Sequence, residues 1–121
     1  MRRRVAGLLY DILLAGERIQ QFVAGASLET YTASPLVRSA VERQFEIIGE
    51  ALVRLRRHAP EIFAQIPEAR RIVGFRNVLA HGYDVVDDTV VWQAVHEHLP
   101  QLLDVVRSLL ENDATTADSP E

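Results

Sequence analysis

Residues 34–58 read SPLVRSAVERQFEIIGEALVRLRRH. The opening Ser34-Pro35 pair marks a helix start. Serine caps unpaired backbone N–H groups, and proline at the first helical position lacks only an N–H that would be unpaired there anyway. Val37, Val41, Ile48, Leu52 and Leu55 then recur at helical spacing, with Ala40, Phe45 and Ala51 widening the stripe. The opposite face carries Arg38, Glu42, Glu46, Glu50 and Arg54, each four residues from the next. Arg38–Glu42 and Glu50–Arg54 are therefore expected as opposite-charge pairs worth about a few tenths of a kcal/mol each. Gly49 falls on this polar face. A glycine inside a helix costs about 1 kcal/mol relative to alanine, so the spacing predicts close approach of another chain there.

The neighbouring segments repeat the pattern. Val5, Leu8, Leu9, Ile12, Ile19 and Val23 predict a helix from about Arg4 to Val23, and Gly25 and Ser27 predict a loop. Pro60 and Pro67 bracket an irregular or short helical connector. A further helix is expected from near Glu68 to near His81, with Gly82 placed just past its end. Asp87 and Asp88 are N-cap candidates for the next helix, whose apolar side is Val91, Trp92, Val95 and Leu99. Pro100 should kink or split it, and Leu102, Leu103, Val106, Leu109 and Leu110 continue the stripe to about Glu111. No segment alternates like a half-buried strand. The fold expected is all-α, an up-and-down bundle of four to five helices. Residues 1–112 form its single domain and 113–121 a disordered acidic tail.

Composition narrows the chemistry. The chain has 121 residues, no cysteine, and arginine as its only strongly basic residue type. A disulfide framework, thiolate metal sites, a cysteine nucleophile and a catalytic lysine are excluded. No apolar run approaches the roughly 18 residues of a membrane span, and the N-terminus has no signal-peptide pattern, so a cytoplasmic protein is expected. The formal charge of −4 conceals a polarised chain. Residues 1–83 carry twelve arginines against eight acids, whereas residues 84–121 carry one against nine. Arg54, Arg56, Arg57, Arg70, Arg71 and Arg76 form a local basic region facing only Glu61 and Glu68.

One stretch carries chemistry: Arg76-Asn77-Val78-Leu79-Ala80-His81-Gly82-Tyr83. At about 100° per residue, Ile72, Phe75 and Leu79 fall on one side of the helix, while Arg70, Gly74, Asn77 and His81 fall on the other. Asn77 and His81 are neighbours on that outer face, and the long Arg76 side chain can converge with them. In the last turn, the negative end of the helix dipole favours imidazolium. Arginine, amide and histidine together suit RNA strand cleavage, in which the ribose 2′-hydroxyl is itself the nucleophile. Histidine moves protons near neutral pH, and guanidinium stabilises charge on the phosphoryl oxygens without a metal. A single histidine serves one proton transfer at a time, so a twofold dimer would supply the second. Its contact could use the Gly74 face or the Glu46–Gly49–Glu50 face. Spacing alone does not single out the pair, because surface Arg-x4-His pairs are common on helices.

The Arg76-Asn77-x3-His81-Gly82-Tyr83 run resembles the Arg-x4-His-x-Tyr motif of HepT-like toxins, the DUF86 branch of the HEPN domains. Leu9-Tyr10-Asp11-Ile12-Leu13, Ile47-Ile48-Gly49-Glu50-Ala51, Ile72-Val73-Gly74-Phe75, Val90-Val91-Trp92 and Leu99-Pro100-Gln101-Leu102 extend the resemblance over roughly residues 3–111. It implies a HEPN-like helical homodimer, the ribonuclease toxin of a toxin–antitoxin pair, with Arg76 and His81 catalytic and Asn77 in support. It also implies a partner, a minimal nucleotidyltransferase antitoxin of the MntA type, that transfers AMP from ATP onto Tyr83. No cofactor or metal of the chain's own is implied. The family often has tryptophan after the connector proline, where this chain has Glu68. A different reading of the same resemblance is a non-catalytic helical subunit that binds nucleotide or substrate for a separate nucleotidyltransferase. Of the remaining candidates, His96 and His98 are two apart and do not face each other, which argues against zinc. Trp92 is assigned to the core or an interface.

Overall fold

A computed structural model describes residues 1–80 and 86–117. Its helices are α1 (Arg3–Val23), α2 (Leu28–Thr32), α3 (Pro35–His58), α4 (Pro60–Phe63), α5 (Ala69–Ala80), α6 (Asp88–Gln93) and α7 (Leu99–Ala117). A π-helical segment, Ala94–His98, joins α6 to α7 so that the two form one continuous rod. No strand occurs among the described residues. The all-α bundle expected from the sequence is the observed architecture. Among the described residues, no helix is long and apolar enough to cross a membrane.

The N-terminus of α3 forms as its first two residues dictate. The Val37 N–H donates to Ser34 Oγ at 3.2 Å, with Pro35 in the first turn. The helix then buries Val41, Phe45, Ile48, Ala51, Leu52 and Leu55. Two neighbours cover this stripe. Helix α1 runs antiparallel along α3, so that Val5 near its start meets Ala59 just past the end of α3. Helix α1 also lies along α7, where the Leu103 side chain occupies the space that a Cβ on Gly16 would need. Helix α5 covers the rest of α3, with Phe75 meeting the buried Phe45 edge-on at a centroid distance of 5.1 Å. Leu9, Ile12, Ile19, Leu99 and Leu102 complete the fully enclosed core.

Several local readings change. The loop expected around Gly25 and Ser27 contains α2. Ser27 and Thr30 form a capping box: the Thr30 N–H donates to Ser27 Oγ at 3.1 Å, and the Ser27 N–H donates to Thr30 Oγ1 at 2.9 Å. The box seats Tyr31, 1% exposed, against Trp92 at 5.5 Å between centroids. Helical residues run on through Pro100, but the regular α-helix is interrupted just before it, at the π segment Ala94–His98. The π segment immediately before it absorbs the mismatch between its ring and the carbonyl four residues earlier. His96 Nδ1 lies 2.9 Å from the Trp92 carbonyl oxygen, whereas His98 Nδ1 lies 3.0 Å from a Glu68 carboxylate oxygen. The two histidines therefore turn to different partners. Helix α7 continues to Ala117, past the end expected near Glu111, with Asp113 paired to the Met1 amino group at 3.1 Å. The rest of the expected tail, 118–121, lies outside the described residues.

Neither expected ion pair along α3 forms. Arg38 reaches Asp88 instead, at 3.8 Å, which ties α3 to the start of α6. Glu42 sits near both. Burial raises the Glu42 carboxyl above its ordinary value of 4.5, and Asp88 pushes the same way while Arg38 opposes. A raised carboxyl disfavours folding once it ionises. The penalty is absent below the ordinary pKa and grows as pH rises through the raised one. Glu42→Gln should therefore be more stable than the unaltered protein at pH 7, with the gain shrinking as pH falls toward 4.5 and absent below it. Urea midpoints across pH measure this, and a gain that does not vary with pH would contradict it.

Candidate functional site

The site begins with the crossing of α3 and α5. Ile72, Val73 and Leu79 of α5 are buried, and Phe75 packs against the core. Arg70, Gly74 and Asn77 are exposed, as the wheel requires. Arg76 lies between these faces. Its aliphatic stem rests on Gly49, where an added Cβ would overlap Arg76 Cβ and Cγ. The close approach foreseen at Gly49 is thus made by the protein's own α5, and Gly49 is buried rather than presented to another chain. The dimer contact imagined on that face is already filled at Gly49. Gly74, in contrast, has nothing within 4 Å of where a Cβ would stand.

The guanidinium has two partners and one unpaired nitrogen. Arg76 Nη1 donates to Asn77 Oδ1 at 3.0 Å. Arg76 Nη2 lies 3.8 Å from Glu50 Oε1, an ion-pair distance too long for a hydrogen bond. Arg76 Nε is buried without a partner among the described residues. The side chain is 27% exposed, so the head is aimed but still reachable. Each terminal nitrogen carries two N–H groups, so donors remain for a further oxyanion. Beside it lies an open groove of about 310 Å³, lined by Glu50, Val53, Arg54, Arg57 and Arg76. The expected Glu50–Arg54 pair is absent because Glu50 turns toward Arg76.

The structure therefore brings Arg76 and Asn77 together, as the motif suggested. His81 and Tyr83 lie outside the described residues. The spacing argument missed Gly49 as the seat of Arg76, Glu50 as its counter-charge, and the groove of Arg54 and Arg57. A signal did exist. Gly49 is the one glycine of α3, set in the middle of its buried stripe between Ile48 and Ala51.

The fold is all-helical among the described residues, and at the edge of a basic groove it presents a guanidinium with N–H donors to spare. Residues 12–109 match the family model described as ribonuclease HepT-like, and the chain belongs to that family. "Putative RNase MJ1380" of Methanocaldococcus jannaschii is 33% identical over 84% of this chain and 92% of its own length. "Putative RNase TTE0752" of Caldanaerobacter subterraneus subsp. tengcongensis is 30% identical over 87% and 93%. "Probable ribonuclease HepT" of Thermococcus cleftensis is 33% identical over 84% and 92%. No solved structure matches the chain.

Two glycine substitutions separate the seat of Arg76 from ordinary helix propensity. Gly74→Ala should stabilise the protein by about 1 kcal/mol, the full helical preference of alanine. Gly49→Ala should destabilise it, because the new methyl displaces Arg76 and overrides the same preference. Denaturant unfolding of the pair measures both. Equal stabilisation of the two would show that Arg76 does not need the space.

Proposed function

We propose that the chain is the toxin of a toxin–antitoxin pair, a metal-independent endoribonuclease acting on cytoplasmic RNA. The observation that carries the reading is Arg76, seated on Gly49 and steered by Asn77 and Glu50 to the edge of an arginine-lined groove. Family membership and the ribonuclease names of the relatives support it.

In the proposed reaction the 2′-oxygen attacks the adjacent phosphorus and the bond to the 5′-oxygen breaks. A 2′,3′-cyclic phosphate and a free 5′-hydroxyl result. The 2′-proton leaves to a base and a proton is delivered to the departing 5′-oxygen. Arg76 binds the non-bridging oxygens, where negative charge grows in the transition state. His81 supplies proton transfer, and a homodimer brings a second His81 and a second Arg76. Asn77 keeps the guanidinium in its working orientation.

Restraint comes from a minimal nucleotidyltransferase antitoxin of the MntA type. The Tyr83 hydroxyl oxygen attacks the α-phosphorus of ATP and pyrophosphate leaves, so that AMP is attached through a phosphodiester. The product adds bulk and negative charge two residues from His81 and competes for Arg76. ATP is the antitoxin's substrate, and the toxin itself uses no cofactor.

Expression of the chain alone should arrest growth, and the purified protein should cleave RNA in the presence of a chelator. Arg76→Ala should reduce cleavage by about 10²–10³-fold, as loss of one transition-state donor does elsewhere. His81→Ala should fall in the range of about 10²–10⁴-fold expected for a general acid or base. Both should relieve the arrest. Incubation with antitoxin and ATP should add AMP to the Tyr83 peptide by mass spectrometry. Unchanged cleavage by both variants would remove the ribonuclease reading in favour of a non-catalytic subunit.

A further inference from the structure

We infer that Arg54 and Arg57 hold a second backbone phosphate of the RNA, next to the one engaged by Arg76; this rests on the ribonuclease reading above. The groove is built from a single stripe of α3. At about 100° per residue, Glu50, Val53, Arg54 and Arg57 fall within one sector of the helix. All four line the same cavity of about 310 Å³ together with Arg76. Arg56 lies between them in sequence but on another side, where its guanidinium sits 5.5 Å from the centre of the Phe63 ring.

The charge in the groove is not balanced from within. Among the described residues, three guanidinium groups line it against one carboxylate, Glu50, which forms the ion pair with Arg76. Among the described residues, no carboxylate forms an ion pair with Arg54 or Arg57, whereas Arg43, Arg71 and Arg107 each pair with a carboxylate three residues away. Helix-dipole compensation would explain Arg57, which lies in the last turn of α3, but not Arg54, which lies before it. Both side chains are exposed and free to reach a polyanion.

Geometry selects a phosphodiester. From Glu50 to Arg57 the helix rises about 10 Å, enough to place two neighbouring phosphates along α3. A guanidinium pair one turn apart clamps one phosphate from two sides, and the open side leaves room for the sugar and base to pass into solvent. Among the described residues, the groove has no aromatic side chain for stacking and no amide to read a base edge. The subsite therefore reads the backbone and not the sequence. Arg54 and Arg57 are positioning residues in this scheme. They set which phosphate reaches Arg76 and take no part in the chemical step.

The test uses full-length protein and a short single-stranded RNA of random sequence. Arg54→Ala/Arg57→Ala should raise KM about tenfold and leave kcat within about threefold, and the salt dependence of binding should fall by about 0.7 in log–log slope, the loss of one phosphate contact. Arg54→Lys/Arg57→Lys should recover most of the KM, and Arg18→Ala, an exposed arginine of α1, should change neither constant. Replacing one linkage at a time with an uncharged methylphosphonate should reveal a position beside the cleaved one that matters to the unaltered protein but not to the double alanine variant. Unchanged KM and salt slope in a correctly folded double variant would overturn the inference while leaving the ribonuclease intact. So would unchanged RNA kinetics with lost antitoxin binding, which would assign the groove to a protein partner. If the unaltered protein cleaves no RNA, the underlying reading fails and the subsite fails with it.

Discussion

The contact between Gly49 and the stem of Arg76 is the constraint on which the rest of the site depends. A glycine in the middle of α3 weakens that helix, yet it lets α5 settle close enough for Phe75 to reach Phe45 and for Arg76 to lie flat across the crossing. The same closeness fixes the orientation of the guanidinium. Its stem cannot swing toward α3, so Asn77 and Glu50 need only steer the head. The core and the charged site are therefore two sides of one packing decision. Binding an anion on a preset guanidinium loses less side-chain entropy than capturing it with a free one.

The distribution of charge follows from the same arrangement. Glu50 leaves its expected partner on α3 and faces Arg76, which leaves Arg54 without a carboxylate. Arg38 leaves Glu42 for Asp88 and fastens α3 to the N-terminus of α6. Pairs along a helix surface are worth little, and contacts between helices readily displace them. The excess of arginine in residues 1–83 is not spread evenly over that surface. Part of it is concentrated in one groove beside the motif.

Most of the fold was legible because its helices are long and strongly periodic. The Ser34-Pro35 start, the end of α3 at His58 and the buried stripe of Val41, Ile48, Leu52 and Leu55 all follow from local chemistry. The failures have physical causes. Helix α2 depends on a reciprocal Ser27–Thr30 cap, whereas the usual signature of that motif has an acid or amide at Thr30's position. Helix α7 outran its expected end because the polarity of its last turns hid an ion pair from Asp113 to the amino terminus. Arg76 and Asn77 were found from the motif, but the seat and groove come from α3, nearly thirty residues earlier. No spacing rule within α5 reports what α3 places beneath it.

The π segment between α6 and α7 has a similar role in the phase of the helices. Val91, Val95, Leu99 and Leu103 are all buried and succeed one another at intervals of four. On a regular α-helix such a run drifts around the axis by about 40° at each step. The wider turn of Ala94–His98 offsets part of that drift, and all four side chains stay buried. The segment is in effect a stored residue. Deleting one position there would convert a π turn to an α turn and leave both apolar faces inward. The same deletion in the middle of α3 would rotate everything beyond it by about 100° and carry Gly49 out from under Arg76. Two helices of similar length in this small bundle thus differ sharply in how much variation in length they can absorb.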